Sequence, residues 1–512
     1  MSADFGDVQR IVLHGTRWRA ARHLMLGFGD KSPLHFLNGL LKAGYGPTGA
    51  KDHKEALQYS LGLTRRGLER CHVPDNVLAR FALKSPAFWA GAALRAAGRL
   101  GMTDDNSPQR WDPMFRFMQV DAVLSVHSTD KALLSRVIDG EKGRDGKEGK
   151  KGLMSFIVTD HGLACAELPL SCALPAPPDV KLPADDNLPA GSKDRGQWVH
   201  FGFLDGLSRV GIKGSTPQKA LDKCRPISIH ATGEFVLGHV QDSGGDPWVA
   251  GPGRRIWPDK VRAFFRNGSF GVLQQIEQDV GAFEKFVNEQ AAEHKLGAEV
   301  IKGKLCGRYP DGRPLVAPDS TDPGADFDYA HDPEGLRCPF GSHVRRMNPR
   351  LRAAEGLNHE HEARAAHFSR SRPLLRRGMP YGDPWTAQSS QENDTRRGLI
   401  GQFFCASIED QYEHLLGEWA DRVPLGSPDG GGARDPLIGA HESGDGPFEI
   451  PQPPHESALR LKGLTPFTRT IGAAYLFYPS LKTLQGIADS SLWGADDEDD
   501  DNEAGPFEAD ED

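Results

Sequence analysis

Three short stretches carry the residue types from which redox chemistry can be assembled. The first, RCPFGSHVRRMNPR over 337–350, holds one histidine, His343, among Gly, Pro and Arg. A neutral imidazole is a good axial ligand for haem iron. Arg345, Arg346 and Arg350 beside it are cations of the kind that haem propionates need. The second stretch is GFLDG at 202–206, which sets Asp205 between glycines, and the third is LLRRGMPYG, with Arg376 and Arg377. On the open side of a haem, a carboxylate that moves a proton and an arginine that holds negative charge can break an O–O bond. Each stretch alone has a plainer reading: one histidine among nineteen, a turn, an exposed basic pair. Their joint presence is what points to haem and peroxide.

Other chemistries find less support. NHEHEARAAH gathers His359, His361 and His367, but neither His-Glu pair continues as HExxH, so a polar loop is the simpler reading. No GxxxxGK[ST] or GxSxG is present, and no GxGxxG lies between a strand and a helix. The seven cysteines are scattered and never spaced CxxC, which reads as reduced thiols rather than a disulfide frame or a zinc site. CxxCH is absent as well, so any haem is expected to be held without a covalent link.

The elements that must position these residues alternate between strand and helix. In the first part, residues 7–28 read as two short strands about a turn, 34–44 as a helix, and 59–73 as a strand entering a helix capped by Thr64. A helical stretch broken near Pro86 comes next, then the strand DAVLSVHS, a helix from Asp130, and FIVTDHG as a further strand. A Pro-rich polar segment over 169–196 reads as a linker leading to GFLDG. In the second part GEFVLGH, SFGVLQQI, LIGQFFCAS and TRTIGAAYLFYP read as strands, with helices from about Asp279, over IEDQYEHLLGEWAD, and at the close.

The chain has 512 residues, enough for two or three domains. Its formal charge of −9 comes from the tail: eleven acids and no base lie in 495–512, and the body carries about +2. That tail reads as disordered, and no basic patch suggests nucleic acid. No run of eighteen apolar residues suggests a membrane span, and the first residues lack an export signal, so a cytoplasmic location is expected. Nothing in the sequence sets an oligomeric state, and an oligomer is compatible with it.

Taken in order, GFLDG, CPFGSHVRRMNPR and LLRRGMPYG resemble the motifs of the dye-decolorizing peroxidase family. DVQRIVLHG, ARHLMLGF, LGLTRRGL, GEFVLG, RNGSFGVLQQIEQDV, RGLIGQFFCASIEDQYE, DPLIG and AAYLFYPS extend the likeness over nearly the whole chain. The resemblance implies an α+β fold of two ferredoxin-like halves, with mostly antiparallel sheets, flanking helices and the haem in the second half. The expected division is 1–168, a linker with the GxxDG segment at 169–225, a haem-bearing half at 226–490, and the tail at 491–512. It implies one non-covalent haem b per chain, hydrogen peroxide as oxidant and bulky dye-like or phenolic donors. Carried over by position, His343 is the proximal ligand, Asp205 the distal acid and Arg376 the distal arginine, with Arg377 adjacent. Asp205, Arg376, Arg345 and Phe403 are expected at the haem. Asp435 is the candidate acid on the far nitrogen of His343, with Glu409 second. Two positions depart from the pattern. Gly401 stands where a distal phenylalanine is usual, leaving open whether Phe403 replaces it, and Gly378 stands where some members carry Asn. Tyr381, Trp385, Trp419 and Tyr475 are candidate relays for electrons from surface donors. A haem carrier without turnover would keep His343 but has less need of Asp205 and Arg376.

Overall fold

In the computed structural model the described residues are 4–15, 18–51, 56–116, 118–141, 149–175, 177, 197–207, 210–224, 228–249, 256–320, 327–350, 372–386, 396–421, 434–439 and 447–492. Two antiparallel sheets form its frame. The first uses β1 (Ala20–Gly27), β2 (Leu57–Leu63), β3 (Ala122–Ser128) and β4 (Ala164–Glu167), in the order β2-β3-β1-β4. The two-residue strand β5 (Ser171–Cys172) follows, then β6 (Gln197–Trp198) and β7 (Leu204–Asp205), which pair with each other. The second sheet is built from β8 (Ser269–Gln278), β9 (Leu375–Tyr381), β10 (Gly398–Cys405) and β11 (Thr468–Tyr478), in the order β11-β8-β10-β9.

The two sheets meet edge to edge. Leu63 of β2 lies opposite Phe477 of β11, and β5 pairs with both Tyr381 of β9 and the start of β1. Because β1 also pairs with β3, the strands close into a barrel. Closure removes the free edges that an open sheet leaves. It also buries both faces of the strands, which is why β3 is buried at every position.

Helices lie outside the sheets, and most begin on a side-chain cap that could be read beforehand. Ser32 caps α1 (Pro33–Lys42), Asp130 caps α2 (Lys131–Asp139), and Asp279 caps α3 (Val280–His294). After α3 the chain turns at Lys295, in a left-handed conformation, into α4 (Ala298–Cys306). Then come α5 (His343–Met347) and the closing α6 (Leu481–Ala488), capped by Ser480. Thr64 caps the short helix Arg65–Arg70 directly after β2. Wide π-type turns run over Ile408–Glu413 and Leu415–Ala420.

Three segments differ from the sequence expectation. Residues 7–28 hold a helical turn, Arg10–Leu13, before β1, rather than two strands. FIVTDHG is helical: Leu153 and Ile157, one turn apart, are buried while Val158 is exposed, and this spacing outweighs the β-branched composition. GEFVLGH is a tight turn. Phe235, Val236 and Leu237 are all buried in succession, and Gly233 packs so closely on the backbone of His239 and Val240 that no side chain would fit there. His359, His361 and His367, most of the Pro-rich linker and the acidic tail lie outside the described residues. Among the described residues no helix is long and apolar enough to cross a membrane.

Candidate active site

His343 opens α5, and three contacts hold that short helix in place. Ser342 Oγ donates to the Lys304 carbonyl at the end of α4, and Arg346 Nη1 donates to the carbonyls of Trp419 and Ala420. Gly307 ends α4 in the left-handed region (φ +97°) and lies against Val344 and Cys338. His343 Nδ1 is 2.9 Å from Oδ2 of Asp435. Asp435 is fully buried, and its Oδ1 accepts from the backbone N–H groups of Leu437 and Ile438, so the DPLIG turn fixes the carboxylate by itself. Burial alone would push this carboxyl up. The charge and hydrogen bond of His343, the charge of Arg346 and the Leu437 N–H outweigh burial and hold its pKa below the usual range. The pair leaves Nε2 of a partly exposed imidazole without a protein partner among the described residues. Glu409, the second candidate, accepts instead from Ser85 and the Ala87 N–H.

Asp205 sits at the end of the β6–β7 hairpin. Both glycines of GFLDG take φ values of +83° and +75°, a region that favours glycine. Phe201 and Phe203 pack into a cluster with Val280, Phe283 and Phe286 of α3, and Leu204 N–H bonds the Pro310 carbonyl. The hairpin is therefore anchored on both sides of the acid. Arg376 Nη2 lies 3.8 Å from Asp205 Oδ1, and both side chains are about half exposed. Its neighbour Arg377 points elsewhere, as alternation along β9 requires. Arg377 donates to the carbonyls of Ile11, Val12 and Arg376, and burial lowers its pKa to about 10.

Beside Arg376 the register places Phe403, and beside Gly378, Gly401. A Cβ on residue 401 would come within 2.6 Å of the Phe403 ring. The ring thus lies over Gly401, and an aromatic side chain covers that spot from two residues further along β10. Arg345 is bound within the protein: it donates to the Asp332 carboxylate and to the carbonyls of Asp332 and Cys338, and its guanidinium lies 4.4 Å from the centres of both Tyr329 and Phe340. Of the expected surface relays, Tyr381, Trp419 and Tyr475 are buried. Tyr475 donates to Glu413.

A further arginine joins the site. Arg308, just after α4, is buried; burial first, then the charges of nearby Arg350 and Arg376, lower its pKa to about 10. Arg308 and Arg350 both lie over the Phe327 ring. Nothing in CGRYPDGRP marks Arg308 beforehand, because its importance comes from neighbours distant in sequence. Burial also pushes the Cys306 thiol up to about 12 and raises Cys338, so neither offers a thiolate.

This donor set suits a haem: an oriented imidazole with a free nitrogen, an acid–arginine pair, and gathered cations for carboxylates. The comparisons agree in kind. No family model matches the chain. Dye-decolorizing peroxidase msp1 of Mycetinis scorodonius is 27% identical over 321 residues, 56% of this chain and 56% of its own length. A dye-decolorizing peroxidase of Exidia glandulosa is 24% identical over 456 residues, 83% of this chain and 75% of its own length. The chain is similar in sequence to dye-decolorizing peroxidases. An ancestral D-type dye-decolorizing peroxidase has the same fold, with a TM-score of 0.70 at 20% identity over 95% of this chain and 99% of that one. The α+β architecture expected of a dye-decolorizing peroxidase is therefore present, with the antiparallel sheets flanked by helices. The first curated relatives of the family match over little more than half their length.

Proposed function

We propose that this chain is a haem b peroxidase that uses hydrogen peroxide to oxidise bulky organic donors in one-electron steps. The observation that carries the reading is the pairing of His343 with Asp435 in a chain that also pairs Asp205 with Arg376. His343 Nε2 would hold the iron, and Arg308, Arg350 and Arg376 would face the propionates. Bound haem would supply a metal that takes up peroxide and stores its two oxidising equivalents.

The chain's own groups do the rest. Asp435 accepts from Nδ1–H, which fixes the tautomer and turns the ring. Asp205 would accept a proton from one peroxide oxygen and pass it to the other, which would leave as water. The Arg376 guanidinium stands where negative charge develops on that oxygen. Phe403, lying over Gly401, narrows the space beside Arg376 and limits what can approach Asp205. Bulky donors would then deliver electrons without entering.

Two measurements test this. The haem-loaded protein should show a Soret band, which separates haem binding from a purely structural role. In stopped-flow absorbance with hydrogen peroxide, Asp205→Asn and Arg376→Leu should each slow the first spectral change by about 10²–10⁴-fold. A wild-type spectrum that only bleaches would leave a haem carrier as the better reading.

A further inference from the structure

The closed barrel has an inner face, and its chemistry is not that of an apolar core. Alternation and register place Gln58 and Ser60 of β2, Ser125 and His127 of β3, and His23 of β1 on that face: Gln58 lies opposite His127, Ser60 opposite Ser125, and Ser125 opposite His23. Gln402 of β10 reaches them from the other wall, donating to Ser125 Oγ at 3.1 Å and to the Tyr478 hydroxyl at 3.2 Å. His23 Nδ1 is 2.8 Å from Ser125 Oγ, and the two imidazoles stand edge to face at 5.6 Å. Barrels of about eight strands are commonly filled by packed side chains or enclose one small ligand.

Much of this polar ring has no partner. Both amide atoms of Gln58, Ser60 Oγ, His127 Nδ1 and Gln402 Oε1 make no hydrogen bond among the described residues. Yet Gln58 and Ser60 are fully buried, and His127 and Gln402 are at most 3% exposed. Two further orphans lie close by. Ser171 Oγ is next to Ala21 in register, and Trp18 Nε1 belongs to a ring 6.2 Å from His127. Buried polar atoms in folded proteins are almost always satisfied, so a cluster of orphans implies a partner that is not protein.

The chemistry of the ring selects that partner. A cation would need a carboxylate, and the ring has none. An anion would need positive charge, but burial keeps both imidazoles neutral, and Arg377 on the same face spends its donors on backbone carbonyls. What remains is a mixture of donors and acceptors: the Gln58 amide N–H₂ and Trp18 N–H on one side, the Gln58 and Gln402 carbonyl oxygens on the other, with a serine hydroxyl able to do both. That suits a small neutral molecule that donates and accepts in equal measure. We propose that the barrel encloses a cluster of ordered water bound by Gln58, Ser60, His127 and Gln402. Gln402 lies between Gly401 and Phe403, so this cluster ties the first sheet to the back of the strand whose front faces Arg376. Internal water at about one molecule per 27 residues is ordinary; its concentration inside one barrel is not.

The inference does not depend on the peroxidase reading. A crystal structure of the full wild-type chain at about 1.5 Å should show peaks at about 2.6–3.2 Å from Gln58 and Ser60. An interior where these side chains turn and pair with each other, without such peaks, overturns the proposal. Thermal unfolding gives an independent reading. If water satisfies the ring, Gln58→Met and Ser60→Ala remove bonds that are made, and each should lower Tm by about 1–2 °C. If the interior is dry, each removes an orphan and Tm should rise, which sinks the idea. Because the wild-type density decides by itself, a variant that fails to fold leaves the question answerable.

Discussion

At the scale of single residues, the proposed site divides into groups that would touch the reaction and groups that would hold them. Asp435 belongs to the second kind, since its full burial, its two backbone N–H bonds and its bond to His343 leave it no freedom. Asp435→Ala should therefore weaken haem retention by about 10–100-fold. The measurement is the rate at which haem leaves for an apo-globin acceptor, with circular dichroism to confirm the fold. Glu409→Ala is the natural companion. Its carboxylate is committed to Ser85 and Ala87, so that variant should lose stability and keep its haem. If Glu409→Ala loses haem as fast as Asp435→Ala, the assignment of the orienting acid is wrong. The sequence left Glu409 as runner-up to Asp435 because both follow Arg397 at unremarkable spacing; in the structure it is Asp435, on the DPLIG turn folded back on α5, that bonds His343. Arg345 shows the opposite case. It stands two residues from His343 and looked available, yet Asp332, Tyr329 and Phe340 enclose it. No local pattern announces a partner thirteen positions upstream.

At the scale of elements, β9 separates two adjacent arginines. Arg376 faces Asp205, whereas Arg377 faces the helical turn Arg10–Leu13 and binds its carbonyls. Arg377→Leu leaves those carbonyls without their partner, at a cost of about 1–3 kcal/mol. A lower urea midpoint with an unchanged fast reaction with peroxide is the expected result, the reverse of Arg376→Leu. Equal kinetic defects in both would mean that the strand's facing has been misassigned. LLRRGMPYG was not legible as a strand, and which of its two arginines faces the site depends on how it pairs with β10. Helix starts were far easier to read. Ser32, Thr64, Asp130, Asp279 and Ser480 each accept from a backbone N–H two or three residues on, a local bond that local sequence can encode. FIVTDHG misled for the complementary reason: its β-branched residues favour a strand locally, and only the burial of Leu153 and Ile157 under the sheet makes it helical.

At the scale of the molecule, closing the barrel creates an inside that neither half has alone. Its seams are narrow, a single pair between Leu63 and Phe477 and two contacts through β5, and nothing in the periodicity of either half predicts them. Closure has a consequence for pH. Burial lowers the pKa of His127 to about 4, and burial with the charge of His127 lowers His23 well below its ordinary value. In the unfolded chain both imidazoles bind protons near pH 6.5. Below that pH the unfolded state holds more protons than the native one, so stability falls as pH falls. The contribution is complete above about pH 6.5 and drains away down to about pH 4, where native His127 itself takes a proton; each histidine changes stability by at most about 1.4 kcal/mol per pH unit in that window. Tm should be flat from about pH 8 to 7 and then drop toward pH 4. His127→Asn removes one of the two titrations, and its Tm curve should fall less steeply over the same range. Parallel curves for wild type and variant would show that the barrel interior does not set the acid limit. If they diverge, the peroxidase reading gains a boundary. The buried histidine pair would then decide how far into acid the folded chain survives.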